Sequence, residues 1–183
     1  ISMPTGSGKT LVMMLLSFGL KASRILIVSP GIVQREDITR RFGALDGLSQ
    51  LGAIRGKVAG KFFVKPIENV MTEERWKQLD EKIRENRKDF VFVSTIKPIT
   101  NSKGSSSVYP PQGFFDLVFF DEDHHLPAST CSGVFKNLGS TKKILLTATP
   151  FRRDKKELPG TPVYQYSIEQ ALTEKIFRKI ELK

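Results

Sequence analysis

Two short runs carry residues whose types and spacing suit phosphate chemistry. The first is Met3-Pro4-Thr5-Gly6-Ser7-Gly8-Lys9-Thr10. A glycine-rich turn points backbone N–H groups inward at a β-phosphate, the lysine after it brings a positive charge to the β- and γ-phosphates, and the hydroxyl can ligate Mg²⁺. The general pattern G-x-x-x-x-G-K-[ST] has glycine where this chain has Met3, whereas Gly6-Ser7-Gly8-Lys9-Thr10, the end that touches phosphate, is intact. Read without a ligand, the same residues are a strand end and a helix cap. The second run, Asp121-Glu122-Asp123-His124, directly follows the apolar Leu117-Val118-Phe119-Phe120. Delivered to the edge that holds the phosphate turn, Asp121 can hold Mg²⁺ through its water shell, and Glu122 can orient and deprotonate an attacking water.

A third run, Thr147-Ala148-Thr149-Pro150, also lies at a predicted strand end. Its two hydroxyls can hydrogen-bond an acid and a histidine on the neighbouring strand and so pass on a change at a γ-phosphate. The chain has two histidines, His124 and His125, and one cysteine, Cys131. A zinc site needs more soft ligands than these.

These runs need a scaffold, and the apolar pattern predicts one. Arg24 to Ser29, Phe90 to Ser94, Leu117 to Phe120 and Lys143 to Thr147 are short continuous apolar runs, the mark of parallel strands covered on both faces. Lys61 to Val64 and Val163 to Tyr166 are further candidate strands. Helical spacing predicts helices over Gly8 to Leu20, Ile32 to Phe42 and, with Thr72 as N-cap and Glu73 and Glu74 in the first turn, to about Arg87. Gly43 to Gly60 reads as loop with at most one short strand, and Asn101 to Gly113, rich in Ser, Pro and Gly, as a mobile surface loop. Strands alternating with helices give an α/β parallel sheet with ligands at the carboxyl ends of its strands. Only Ile1 and Ser2 precede the phosphate turn, so the first strand is expected to be a stub or truncated.

The chain has 183 residues, enough for one domain with a sizeable core. No apolar run approaches the roughly 20 residues that span a bilayer, and no signal peptide is recognisable, so no membrane role is expected. A lone cysteine rules out an internal disulfide and points to a reducing, intracellular compartment. The net charge of +10 favours polyanions, nucleic acid first among them; a basic surface kept for solubility is the plainer reading.

The runs MPTGSGKT, DEDH and TATP, in that order and at domain-sized separations, resemble motifs I, II and III of superfamily 2 helicases of the DExH branch. The Phe151-Arg152-Arg153-Asp154 run after TATP is similar to DExH proteins related to restriction-enzyme motor subunits. The resemblance covers nearly the whole chain and implies an α/β RecA-like P-loop NTPase fold over residues 1–183, a parallel sheet flanked by helices on both faces. It implies that Pro4, Thr5, Gly6, Ser7, Gly8, Lys9 and Thr10 bind ATP, that Thr10 and Asp121 hold Mg²⁺, and that Glu122 activates water. His124, Thr147 and Thr149 would couple hydrolysis to movement. Ser29-Pro30-Gly31 with Arg35, and Ser94-Thr95, resemble the motifs that touch a nucleic-acid backbone, through amides and helix N-termini rather than base edges. Arg152 and Arg153 would meet nucleic acid or a second domain, or form a solvated basic face.

The resemblance also implies what lies elsewhere. The chain shows no Q-type adenine-reading motif before the turn and stops before motifs IV to VI. The arginine finger, worth about 10³ to 10⁵ in rate, would come from a second RecA-like domain. The expected activity is ATP hydrolysis that drives unwinding or translocation on nucleic acid, DNA or RNA. Three other readings stay open: a double-strand translocase of the restriction-motor kind, a nucleotide-binding scaffold without turnover, and a P-loop kinase acting on a small molecule.

Overall fold

The computed structural model describes residues 1–53, 62–86, 88–103, 106–121, 128–148 and 160–176. Five parallel strands form the central sheet: β1 (Arg24–Val28), β2 (Phe62–Ile67), β3 (Asp89–Ser94), β6 (Leu117–Asp121) and β7 (Lys142–Leu146), in the order β2-β3-β1-β6-β7. The three inner strands β1, β3 and β6 are almost wholly buried and apolar between their end residues, because helices cover both faces.

The pleat sorts side chains by parity. On one face Ile25, Ile27, Val91, Val93, Leu117 and Phe119 pack against α1 (Lys9–Gly19) and α2 (Ile32–Ala44) through Met13, Met14, Ile38 and Phe42. On the other face Leu26, Val28, Phe90, Phe92, Val118 and Phe120 meet Trp76 and Ile83 of α4 (Glu73–Glu85) and Val134 of α6 (Ala128–Asn137). A fully buried Phe, Leu or Ile among these contributes about 1.5–3 kcal/mol. Thr72 caps α4 by accepting from the Arg75 amide, and Glu73 and Glu74 occupy its first turn, as the sequence predicts.

Residues 1–3 extend the sheet beyond β7. Met3 N donates to Thr147 O (2.8 Å), Thr147 N to Ile1 O (3.1 Å) and Tyr166 N to Ser2 O (2.8 Å), so Ser2 bridges Thr147 on one side and Gln165 on the other. These three residues, called the stub below, are held between two neighbours, and the expected strand Val163 to Tyr166 is reduced to the Gln165 bridge.

Other departures lie between the strands. The expected loop after Gly43 contains α3 (Asp46–Gln50), started by Leu45 in the left-handed region at φ 52°. The expected mobile loop contains a hairpin, β4 (Asn101–Lys103) against β5 (Ser106–Val108), preceded by α5 (Ile96–Ile99). Helix α6 and the C-terminal α7 (Ile168–Thr173), closed by a Ser167–Gln170 capping box, carry no expectation from the sequence. Pro66 sits within β2, at the edge of the sheet where a missing N–H breaks no ladder.

Candidate functional site

All five strands and the stub end at one edge of the sheet, and that edge gathers the predicted residues. Asp121 is the last residue of β6 and pairs with Leu146; one residue on, Thr147 pairs with Ser2, and Met3 leads into the phosphate turn. Two strand spacings, about 10 Å, therefore separate the Asp121 strand from the stub that carries the turn. The order of strands reverses at β1, and parallel sheets place ligands outside such a point.

The turn has the backbone its sequence asks for. Gly6 has φ 82° and Gly8 φ 97°, conformations that a side chain resists. Ser7 N and Ser7 Oγ both bond the Pro4 carbonyl, at 3.2 and 2.6 Å, which closes the turn. Gly8 is the N-cap of α1, and no side chain caps this helix and no acid occupies its first turn. An anion can take that role, favoured by the helix dipole. Among the described residues nothing lies within 4 Å of where a Gly8 Cβ would stand. The donor set, glycine amides, Lys9 and Thr10, fits a polyphosphate with its Mg²⁺.

Lys9 Nζ donates to the Met3 carbonyl at 3.3 Å, which holds the ammonium across the turn. Met3, where the general pattern has glycine, is buried and packs with Tyr166, Ala171, Ile1 and Val12. The substitution therefore fixes the entry to the turn and leaves the phosphate-contacting end unchanged. Tyr166 donates to Glu174 at 2.6 Å; this hydrogen bond, with burial and the carboxylate charge, pushes its phenol up to about 12.

The motif after β1 uses its side chains inward. Ser29 Oγ donates to Gly31 O (3.1 Å) and Ser94 O (3.4 Å), and Ser94 Oγ to Thr95 O (2.7 Å) and Ile67 O (3.3 Å). The two serines thereby tie together the ends of β1, β3 and β2. Arg35, expected beside nucleic acid, has a side chain only 8% exposed that donates to Glu68 at 3.0 Å, while its Nε is buried without a hydrogen-bond partner. What this edge leaves outward is backbone. Gly31 is extended and starts α2 without a side-chain cap, and Ile32 and Val33 follow it at 60% and 75% exposure.

Glu122, His124 and Thr149 lie outside the described residues, as do Asp123, His125, Pro150, Arg152 and Arg153. Thr147, the described hydroxyl of its run, is buried at the Ser2 bridge, one position beyond the Asp121 rung. Among the described residues no three His, Cys, Asp or Glu converge as a metal-binding cluster, and no helix is long and apolar enough to cross a membrane.

Residues 1–152 match the family model of the type III restriction enzyme, res subunit. The chain belongs to the res-subunit family. No curated protein sequence matches it. Among solved structures, this res-subunit chain is similar to the UvsW helicase from bacteriophage T4, with TM-score 0.54 and 18% identity over 81% of this chain and 46% of that one. It is also similar to the Hef helicase domain of Pyrococcus furiosus, with TM-score 0.50 and 18% identity over 86% of this chain and 30% of that one. The chain therefore spans less than half the length of either neighbour. The fold is an α/β RecA-like fold, which the chain shares with these helicase structures.

Proposed function

We propose that this chain is the ATP-binding half of a DExH motor that hydrolyses ATP to act on nucleic acid. The observation that carries the reading is the shared edge: the turn at residues 4–10, Asp121 and Thr147 stand on neighbouring rungs of one parallel sheet. Membership of the res-subunit family supports it.

In this reading the amides after Gly6 and the Lys9 ammonium bind the β- and γ-phosphates. Lys9 would turn from the Met3 carbonyl to the phosphates, a charge-assisted contact. Thr10 and Asp121 would hold Mg²⁺, whose charge offsets that of the phosphates when it is bound. Glu122 would orient and deprotonate the attacking water. Thr147, with Thr149 and His124, would pass the loss of the γ-phosphate to the strand ends.

Nucleic acid would lie along the same edge against the amides at Ser29-Pro30-Gly31 and Ser94-Thr95. The serine hydroxyls already have acceptors inside the protein, so backbone N–H groups are the available donors. Arg35 would act by fixing the start of α2. Contacts of this kind, with a net charge of +10, favour any strand over a particular sequence. A second RecA-like domain would supply the arginine that completes the site.

The test is ATP turnover by a protein that continues past Lys183, with and without nucleic acid. Stimulated turnover that Lys9→Ala and Glu122→Gln each abolish supports the motor. Stimulation that is insensitive to salt counts against nucleic acid as the partner, and phosphate transfer to a small molecule would make the protein a kinase. The res-subunit family favours a second reading, translocation along double strands without separating them. Displacement of a triplex strand without fork unwinding would select it.

A further inference from the structure

The sheet's outermost strand, β2, and helix α4 leave a groove between them, about 250 Å³ in volume, apart from the phosphate turn. Strand β2 pairs with β3 on one side only, and two strand spacings, about 10 Å, separate it from β1, where the strand order reverses. One wall of the groove is Lys65, Pro66 and Ile67 of β2; the other is Arg75, Gln78, Leu79 and Lys82 of α4. Positions 75, 78, 79 and 82 share one helix face, while Trp76 and Ile83 turn the neighbouring face into the core.

The groove is apolar within and basic at its mouth. Pro66, Ile67, Met71 and Leu79 line its interior, with the wholly buried Phe92 at the base. Lys65, Arg75 and Lys82 are exposed, and among the described residues none of the three stands in an ion pair. Arg75 Nη1 donates to Val70 O at 2.5 Å, which pins its guanidinium at the start of α4. The one acid of the lining, Glu68, already binds Arg35 at 3.0 Å. Three cations therefore surround an apolar hollow, their charge unanswered by the described residues.

These properties select the occupant. The volume falls below the roughly 300 Å³ at which small-molecule sites begin, and suits one or two anchoring side chains. A single nucleic-acid strand needs exposed rings to stack on, and the one ring in this lining is buried. Pro66 has no N–H to offer a new neighbour, so side chains rather than an added strand must hold the ligand. We propose that the groove docks an acidic segment of a partner protein. The segment seats one or two apolar side chains between β2 and α4 and sets its carboxylates against Lys65, Arg75 and Lys82.

Selection of a displayed random peptide library on the chain tests it. Enriched peptides should combine Asp or Glu with Leu, Ile, Phe or Met. A synthetic, labelled copy of the strongest should bind in fluorescence anisotropy with an affinity that falls with salt. Gln78→Trp, which fills the hollow from an exposed position, should weaken that peptide about tenfold or more, and Lys65→Glu and Lys82→Glu about threefold to tenfold each. The variants sit at exposed positions on two different elements, so their circular dichroism spectra should match that of the wild type. No enrichment, enriched peptides without acids, or an acidic peptide that binds all three variants like the wild type would overturn the proposal. Single-stranded DNA that displaces the peptide and is itself weakened by the same variants would also overturn it, in favour of a nucleic-acid surface.

Discussion

Arg35 and Glu68 meet at 3.0 Å across the gap between the first turns of α2 and the residue that follows β2. The arginine is buried and the glutamate is 58% exposed, so the pair is lopsided. Removing Glu68 leaves a buried guanidinium with only the more distant Glu36 carboxylate, at 3.8 Å; removing Arg35 leaves a carboxylate that water can reach. Arg35→Ala should cost about 1–3 kcal/mol through lost packing and ion pairing, and Glu68→Gln about 0.5–1.5 kcal/mol. Urea midpoints of the two single variants and the double variant check this. A double variant no worse than Arg35→Ala is expected, since one interaction is being removed twice.

Gly8 should not tolerate a side chain, for a conformational reason. Space is available around its position, but φ 97° is strained for any L-residue. Gly8→Ala should lower stability by about 1–2 kcal/mol and should weaken triphosphate binding by more than the stability loss explains, because the amides after it must turn. Thermal melts with and without Mg²⁺–ATP separate the two effects: the ligand-induced rise in Tm expected of the wild type should be absent.

Alkali should loosen the base of the phosphate turn before the rest of the sheet. The Tyr166 phenol is raised to about 12 by its hydrogen bond to Glu174, against an ordinary value near 10. Its folded pKa lies above its unfolded one, so the contribution is fully present below about pH 10 and is lost as pH rises toward 12. Phenolate absorbance should show one of the three tyrosines titrating near the upper limit, and Glu174→Gln should bring that midpoint down. Tyr166→Phe should remove the extra sensitivity of stability to pH in this window.

Asp121→Asn tests the metal assignment. The side chain stands at the end of β6, level with Leu146, on the edge that carries the turn. Replacing the carboxylate by an amide keeps the shape and removes the charge. Turnover in the longer protein should fall by about 10²-fold or more and should call for higher Mg²⁺ concentrations, whereas the stability of the sheet should change by less than about 1 kcal/mol. Magnesium titrations of wild type and variant supply the comparison.

The strands were legible because burial on both faces makes them continuous apolar runs, and β1, β3, β6 and β7 fall within a residue or two of their predicted limits. Helix α4 was legible from Thr72 and its two following acids. The missed elements lack such signals. Helix α6, ASTCSGVFKN, is rich in Ser, Thr and Gly, residues that favour caps and turns, and its hold comes from Val134 packing into the core. The β4–β5 hairpin pairs Asn101-Ser102-Lys103 with Ser106-Ser107-Val108, a run of residue types with no hydrophobic period to announce a strand. Helix α3 depends on the strained Leu45, which no pattern of residue types announces.

The phosphate turn was legible because glycine, lysine and threonine act there through backbone shape and charge that local sequence determines. Arg35 was different. A basic residue near a motif reads as a surface contact until tertiary structure shows Glu68, remote in sequence, taking its guanidinium.

The central claim is that residues 4–10 and Asp121 form one Mg²⁺–ATP site. Calorimetric titration of the 183-residue chain with ATP at saturating Mg²⁺, repeated for Lys9→Ala, tests it most directly. The account predicts weak saturable binding by the wild type, roughly in the micromolar to millimolar range, that falls about tenfold or more without the lysine or without Mg²⁺. Binding of equal strength in the wild type and in Lys9→Ala, or binding indifferent to Mg²⁺, would contradict it.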